Sequence, residues 1–555
     1  MLKNPKQVYV DMIYQVKLDN RRYNSTRPIS RLPDETLIHI FNLYASDDAV
    51  VSSNGLPGLL AVTWVCTRWR EVALHCPMLW RKPDFRFPSL AREMIHRSKS
   101  VPLDINLRFH HPQARRGWQQ FEMLRIAMSY TARIRSLVLD FKAFSEPEAK
   151  RLITHIASPA PILRTLVLNC KRTVRVPDSF LGGETPRLRE LTVCGASFNW
   201  SAPFLENLTC LKLLEQAAFC RQAYAFDFVA ALRRMPALEF LELDHTLFVP
   251  PKAKDGREIE RDQVHMAHLR ELHLTSVLVP CCTSVLECLL FPATTILKIT
   301  CRLDVNGTTP EECRLMSTRI SHIYAESGHI FRYLTLRKIN HLSLICASPT
   351  NSHSPDSPGS LIIRLIQRQR DLLHQLDVFR RCLDPLASVL EDIQTLETTF
   401  DDVFGPLDLA RRFGHLPMLN TIHIRNLNPH DTLCALVHGL HELPPLLPYA
   451  PSEETEATCS SCAVPFQGLD TLVLENIDFE DMSILVDILL LRLHQRQIHS
   501  VSIKSLILLN CTELTKRGVE ELRRTGIHVQ WDGVVSSNTP PTVGSSTRLW
   551  ASLKL

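Results

Sequence analysis

One frame recurs through most of this chain: an apolar residue, two variable residues, a leucine, one variable residue and a further apolar residue. Clear copies are Ile134-Leu137-Leu139, Leu163-Leu166-Leu168, Leu188-Leu191-Val193, Leu208-Leu211-Leu213, Leu238-Leu241-Leu243 and Leu269-Leu272-Leu274, spaced about 20 to 31 residues apart. More degenerate copies follow at Thr294-Leu297-Ile299, Ile339-Leu342-Leu344, Ile393-Leu396-Thr398, Leu419-Ile422-Ile424, Leu469-Leu472-Leu474 and Ile503-Leu506-Leu508. Side chains alternate along a strand, so each Leu-x-Leu pair marks a short strand with one buried face. Stacked parallel, such strands share one continuous core. Amphipathic stretches at 146–157, 226–234, 480–494 and 516–524 predict helices on the other side.

A repeating arrangement also reconciles the length with physics, since 555 residues exceed what one compact core supports unless the fold extends in one dimension. Apolar residues make up 45% and charged residues 22%, too apolar for general disorder. The net charge of +5, on 63 basic and 58 acidic residues, gives no support to a nucleic-acid partner. The first twenty residues lack the apolar centre of about 7 to 15 residues that a secretory signal needs. The most apolar windows, 276–299 and 484–493, are too short or carry Glu287, Asp487 or Arg492, so no membrane span is expected. Seventeen cysteines, an odd number scattered in apolar segments such as 166–170 and 507–511, argue for buried thiols in a reducing compartment.

Nothing points to catalysis: G-x-S-x-G, a Walker loop, G-x-G-x-x-G and H-E-x-x-H are all missing. His438-x-x-His441 followed by Cys459-x-x-Cys462 could supply four zinc ligands, but the order is inverted and the Pro-rich acidic stretch between looks flexible. The pattern is read as a helix end and a loop, with no metal and no cofactor. Within 346–360, the pairs Ser348-Pro349, Ser354-Pro355 and Ser357-Pro358 are read as a linker rather than as phosphorylation sites, and 346–360 as a loop. A long helical pattern over 361–396 reads as an insertion, broken at Pro385. A second polar insertion covers 444–465, and the segment after Gly533 reads as a disordered tail.

Ahead of the repeats, 32–80 reads LPDETLIHIFNLY, a Gly/Pro loop, then LLAVTWVCTRWREVALHCPMLW. Asp34 is expected to cap a helix whose apolar side is Leu37, Ile38, Ile40 and Phe41. Leu59, Leu60, Val62, Val65, Cys66 and Trp69 recur at helical spacing, a further turn ends at Pro77, and Leu79 and Trp80 fold back on both. Residues 1–27 allow a short helix or a solvated arm.

Leu32-Pro33, Glu35, Leu37, Ile40-Phe41, Val65-Cys66, Trp69-Arg70, Ala73, Pro77 and Leu79-Trp80 resemble, in order and spacing, the F-box family. The later frames resemble leucine-rich repeats in period. Together the resemblances imply an α/β chain: an arm at 1–27, an all-helical F-box at 28–82, an irregular leucine-rich-repeat solenoid at 83–534, and a tail at 535–555. They imply the substrate-recognition subunit of a Skp-cullin-F-box ubiquitin ligase, cytoplasmic or nuclear, contributing no catalytic residue. Leu32, Pro33, Glu35, Ile38, Val65 and Trp69 would meet a Skp-family adaptor, which in turn joins a cullin; Phe41, Cys66 and Trp80 would be internal. An unknown protein client would meet the variable strand positions, among them Arg135, Arg164, Glu190, Lys212, Glu239, Glu242, His273 and Arg425. The alternative is a non-degradative leucine-rich scaffold.

Overall fold

The computed structural model describes residues 5–46, 58–108, 117–214, 222–244, 263–276, 278–303, 309–339, 342–350, 357–367, 372–399, 406–425, 430–437, 465–479 and 483–533. A helical N-terminal region leads into a mixed α/β, sheet-rich region, and the chain divides into two compact units at Leu238/Glu239. The expected metal pattern at 438–462 and the tail after Gly533 fall outside the described residues.

The first unit opens with α1 (Pro5–Ser25), so the arm is a helix of 21 residues. A 3-10 turn at Pro28–Arg31 leads to α2 (Asp34–Ser46), α3 (Gly58–Val65), α4 (Thr67–His75), a second 3-10 turn at Pro77–Trp80, and α5 (Pro88–Arg97). The helix expected from Leu59 through Trp69 is in fact two. Cys66 is extended (φ −158°, ψ 171°) and its sulfur accepts from the Trp69 amide at 3.5 Å, capping α4 and ending α3. Leu37, Phe41, Leu59, Val62, Val72, Ala73, Cys76, Leu79 and Trp80 form the core of this region, and Met94 of α5 closes it. The Trp80 indole N–H, which burial would otherwise strand, donates to the Ala73 carbonyl at 2.9 Å.

The sheet of the first unit runs β1 (Leu103–Arg108), β2 (Ile134–Asp140), β3 (Thr165–Arg175), β4 (Glu190–Ser197), β5 (Cys210–Leu214), all parallel and in chain order. Its register follows the frame. Ile105, Leu137, Leu166, Leu191 and Leu211 line up across the strands, as do Leu107, Leu139, Leu168, Val193 and Leu213, and every one is buried. Each strand therefore completes the apolar row of its neighbour, which fixes register because a one-residue slip would turn the row outward. Between strands lie α6 (Gly117–Met128) and α7 (Glu146–Thr154), with α8 (Gln222–Arg233) after β5. A capping box between Ser145 and Glu148 starts α7.

The second unit has β6 (Phe240–Asp244), a two-residue pair β7 (Val264–His265) and β9 (Leu289–Leu290), β8 (Glu271–Ser276) and β10 (Ile296–Leu303). It continues with β11 (Tyr333–Ile339), β12 (Leu342–Ser348), β13 (Leu361–Gln367), β14 (Thr395–Thr399), β15 (Thr421–Arg425), β16 (Thr471–Glu475), β17 (Ser505–Leu509) and β18 (His528–Trp531). The strand order is β6-β8-β10-β13-β12-β11-β14-β15-β16-β17-β18. All neighbours are parallel except that β12 runs antiparallel to β13 and to β11. Helices α9 (Val279–Cys288), α10 (Pro310–Glu326), α11 (Leu372–Leu383), α12 (Pro406–Phe413), α13 (His430–Ala435), α14 (Ser483–Ile498) and α15 (Lys516–Arg523) accompany them.

Three expectations are overturned here. The frame Ile339-Leu342-Leu344 is no parallel strand; it straddles the antiparallel pair in which Ile339 faces Leu342. The 361–396 helix begins as strand β13, and among the described residues of this range only Leu372–Leu383 is α-helical, followed by a 3-10 turn at Asp384–Val389. Leu361, Ile363 and Leu365 on one face and Ile362 on the other are all buried, so apolar residues occupy both faces of β13 and its sequence shows no clean alternation to separate strand from helix. The loop expected at 346–360 is strand up to Ser348, whose buried hydroxyl bonds that of Ser357 at 2.8 Å. Gly359 (φ +79°) leads into β13, and a Cβ there would come within 2.4 Å of the His329 ring.

Among the described residues the cysteines are thiols, most of them buried, and burial pushes the Cys170 thiol up to about 12. No described helix is long and apolar enough to cross a membrane.

Candidate functional site

The edge where the chain turns from α1 into α2 is built around one guanidinium. Arg68, in the first turn of α4, donates to the Ser30 carbonyl (2.5 Å), the Leu32 carbonyl (2.6 Å) and the Asp34 carboxylate (2.7 Å). It thereby holds α4, and Val65 at the α3–α4 joint, beside the Leu32-Pro33-Asp34 turn. Asp34 does not precede its helix as expected; it begins α2, with the Pro33 carbonyl accepting from the Leu37 amide, and its side chain serves Arg68. An acid in the first turn also complements the helix dipole.

The six expected docking residues divide into two kinds. Pro33, Glu35 and Val65 are exposed, Val65 by 57%. Leu32, Ile38 and Trp69 are partly buried against the core, with Trp69 packed on Phe41 at a ring distance of 4.9 Å. Phe41 and Trp80 are internal as expected, whereas Cys66 is half-buried at its cap. Trp64, 61% exposed beside Val65, went unread in the sequence, as did Ile29, Leu43 and Met78, also exposed. The clue for Trp64 was its place off the Leu59-Val62 stripe: an aromatic off the packed face of a helix is bare unless a partner covers it.

Residues 29–86 match the F-box-like family model. The F-box-like domain thus takes in the Arg68 clamp, the core except Met94, and the bare Trp64-Val65 pair. It supports a general role in substrate recognition for ubiquitin ligation, and such domains typically bind Skp-family adaptors. The comparison with curated proteins found no match. At its far end the F-box-like domain is tied to β1: the Asp104 amide donates to the Arg81 carbonyl (2.9 Å), and the Asp104 carboxylate pairs with Arg81 (3.4 Å) and Arg135 (2.9 Å). Arg97 of α5 lies over the Trp80 ring at 5.4 Å. Beside this junction Arg86 is held by Asp84, whose hydrogen bond raises the guanidinium's pKa.

The variable strand positions named for a client are not equally available. Arg164 and Glu190 are exposed, Lys212 and Glu242 half-buried, Glu239 pairs with Arg270 at 3.4 Å, and His273 lies 3.0 Å from Glu271. Arg135 is engaged by Asp104, and Arg425 by Glu475 at 2.7 Å and Glu397 at 3.4 Å. Glu397 is the centre of a network that sequence reading missed. It is fully buried, accepts from Tyr333 (2.5 Å) and Arg337 (2.6 Å), and sits one strand from His423, itself 2.9 Å from Glu475. Burial, then the Glu397 charge, pushes the Tyr333 hydroxyl up, so it stays a donor. Burial works to raise Glu475, but hydrogen bonds from His423 and Arg425 outweigh it and hold the carboxyl below its ordinary value. Among the described residues no group of three or more His, Cys, Asp or Glu is placed to hold a metal ion.

Proposed function

We propose that the chain is the substrate-recognition subunit of a Skp-cullin-F-box type ubiquitin ligase. The F-box-like domain, taken as 28–82, docks a Skp-family adaptor and through it a cullin. The region 83–534, read as an irregular leucine-rich-repeat solenoid, holds a protein client in the cytoplasm or nucleus. The observation that carries this reading is the F-box-like match over residues 29–86, together with the exposed Pro33, Glu35, Trp64 and Val65 around the Arg68 clamp. F-box proteins are typically non-catalytic adaptors, and no residue here is assigned to chemistry. The mechanism is proximity: a bound client lysine is held near the loaded conjugating enzyme, which raises its effective concentration. A few apolar anchors carry most of the energy of such docking.

Changing Leu32 and Pro33 together to Ala should abolish co-purification of a Skp-family adaptor with the full chain. Adaptor recovered at wild-type yield would refute the docking assignment. Comparing partners of the full chain with those of a chain lacking residues 28–82 separates the ligase from the client. A client whose level does not rise in cells lacking the chain would favour a non-degradative scaffold.

A further inference from the structure

Helix α1 has no buried side chain from Val8 to Ser25, yet Val8, Tyr9, Met12, Ile13, Val16 and Tyr23 are each 40–67% exposed. At 100° per residue these six fall within about 140° of the helix circumference, close together from Val8 to Val16 and taken up again at Tyr23, with Asp19 and Asn20 in the same arc between them and the exposed Val10 and Tyr14 outside it. At 1.5 Å per residue its 21 residues span about 30 Å. Most helical stability in proteins comes from packing an apolar face rather than from intrinsic propensity. The stripe therefore calls for a cover.

Three features point to what covers it. The C-terminus of α1 is bonded into the edge that holds the docking residues: the Asn24 carbonyl accepts from Ser30 Oγ at 2.6 Å, the Ser30 and Leu32 carbonyls accept from Arg68, and Arg27 stacks on Tyr23 at 4.2 Å. The last member of the stripe, Tyr23, thus stands next to the Leu32-Pro33 turn, with Ile29, 41% exposed, between them. The stripe's flanks are basic, with Lys17, Arg21 and Arg22 against Asp11.

We propose that α1 is a second arm of the adaptor-docking surface, laying its apolar stripe on an adaptor face that is apolar at its centre and acidic at its rim. This rests on the reading of the F-box-like domain as an adaptor-binding module. Tyr and Met on the stripe are residue types enriched in interface cores, and the basic flanks make the contact sensitive to salt.

The test uses the full chain with Met12→Ser, Ile13→Ser and Val16→Ser together, all at exposed positions. Titration of a purified Skp-family adaptor should show affinity reduced at least tenfold, with weaker salt dependence than wild type, while circular dichroism and the melting midpoint of the chain hold. Unchanged affinity, in a preparation where Leu32→Ala with Pro33→Ala abolishes binding, would overturn the role of α1 and leave the docking assignment standing. Failure of the wild-type chain to bind any adaptor would overturn both. A wild-type dimer that the triple substitution makes monomeric, with adaptor affinity unchanged, would assign the stripe to a second copy of the chain and overturn the proposal.

Discussion

The Arg68 edge of the F-box-like domain and the Glu397 face of the second unit handle exposure in opposite ways. At the edge, Trp64 and Val65 stand bare in water while the polar groups beneath them, the Ser30 and Leu32 carbonyls, are taken up by Arg68. On the Glu397 face, charges are withdrawn from water and matched to one another across β11, β14, β15 and β16. A surface that leaves apolar groups uncovered gains by acquiring a partner; one whose buried charges are already matched gains little. The contrast fits the first to the association proposed above and the second to internal order.

The sharpest way to break the contrast is to remove Glu397. Glu397→Ala leaves Arg337, Arg425 and the Tyr333 hydroxyl facing an empty centre, and loss of one partner of a buried ionic network costs about 3–5 kcal/mol. Urea denaturation followed by fluorescence should show the second unit opening at lower denaturant, and a midpoint within error of wild type would mean the network does not hold the strands. A smaller effect is expected from acid. The folded-state pKa of Glu475 lies below its unfolded value of about 4.3, so its contribution is complete above that pH and disappears as pH falls through the depressed folded value. Glu475→Gln should therefore be less stable than wild type at pH 7, and the gap should narrow as pH falls below about 4.3; a gap constant with pH would contradict the assignment. Least of all should Trp64→Ala disturb the fold, within about 0.5 kcal/mol as for other surface changes. Its adaptor affinity should nevertheless fall, and a variant that melts several degrees lower would place Trp64 in the core instead.

What could be read from the sequence follows where each region keeps its information. The rows Leu137-Leu166-Leu191-Leu211 were legible because every strand repeats one apolar spacing and the structure pairs those residues directly. The F-box-like core was legible because its anchors, such as Phe41 and Trp80, are large and buried. The break at Cys66 was not, since a thiol cap leaves the apolar spacing on either side unchanged. Nor was the Arg68 clamp, whose partners lie 34 to 38 residues away and are mostly main-chain carbonyls that carry no side-chain signature. Glu397 was hidden for a different reason: it occupies the variable position inside Leu396-x-Thr398, where a charge normally faces solvent. Arg496 shows the same limit. It is fully buried and donates to the carbonyls of Leu436, Pro465, Phe466 and Val501, and its lowered pKa, about 10 through burial, leaves it protonated at neutral pH.

The displaced strands of the second unit bear on how the chain assembles as it is made. In the first unit Leu137 finds Leu166 after 29 residues, so each new strand can add to the one just completed. Leu297 of β10 must wait 64 residues for Leu361, until β11 and β12 have been synthesised and have turned back. The extra loop closure costs only about 0.6 kcal/mol per doubling of length, which equilibrium stability tolerates. Time is the greater cost. While β13 is still inside the ribosome, one side of β10 is an unpaired strand edge, the kind that captures stray chains, so the nascent protein should be most prone to aggregation, and most dependent on chaperones, between synthesis of β10 and of β13.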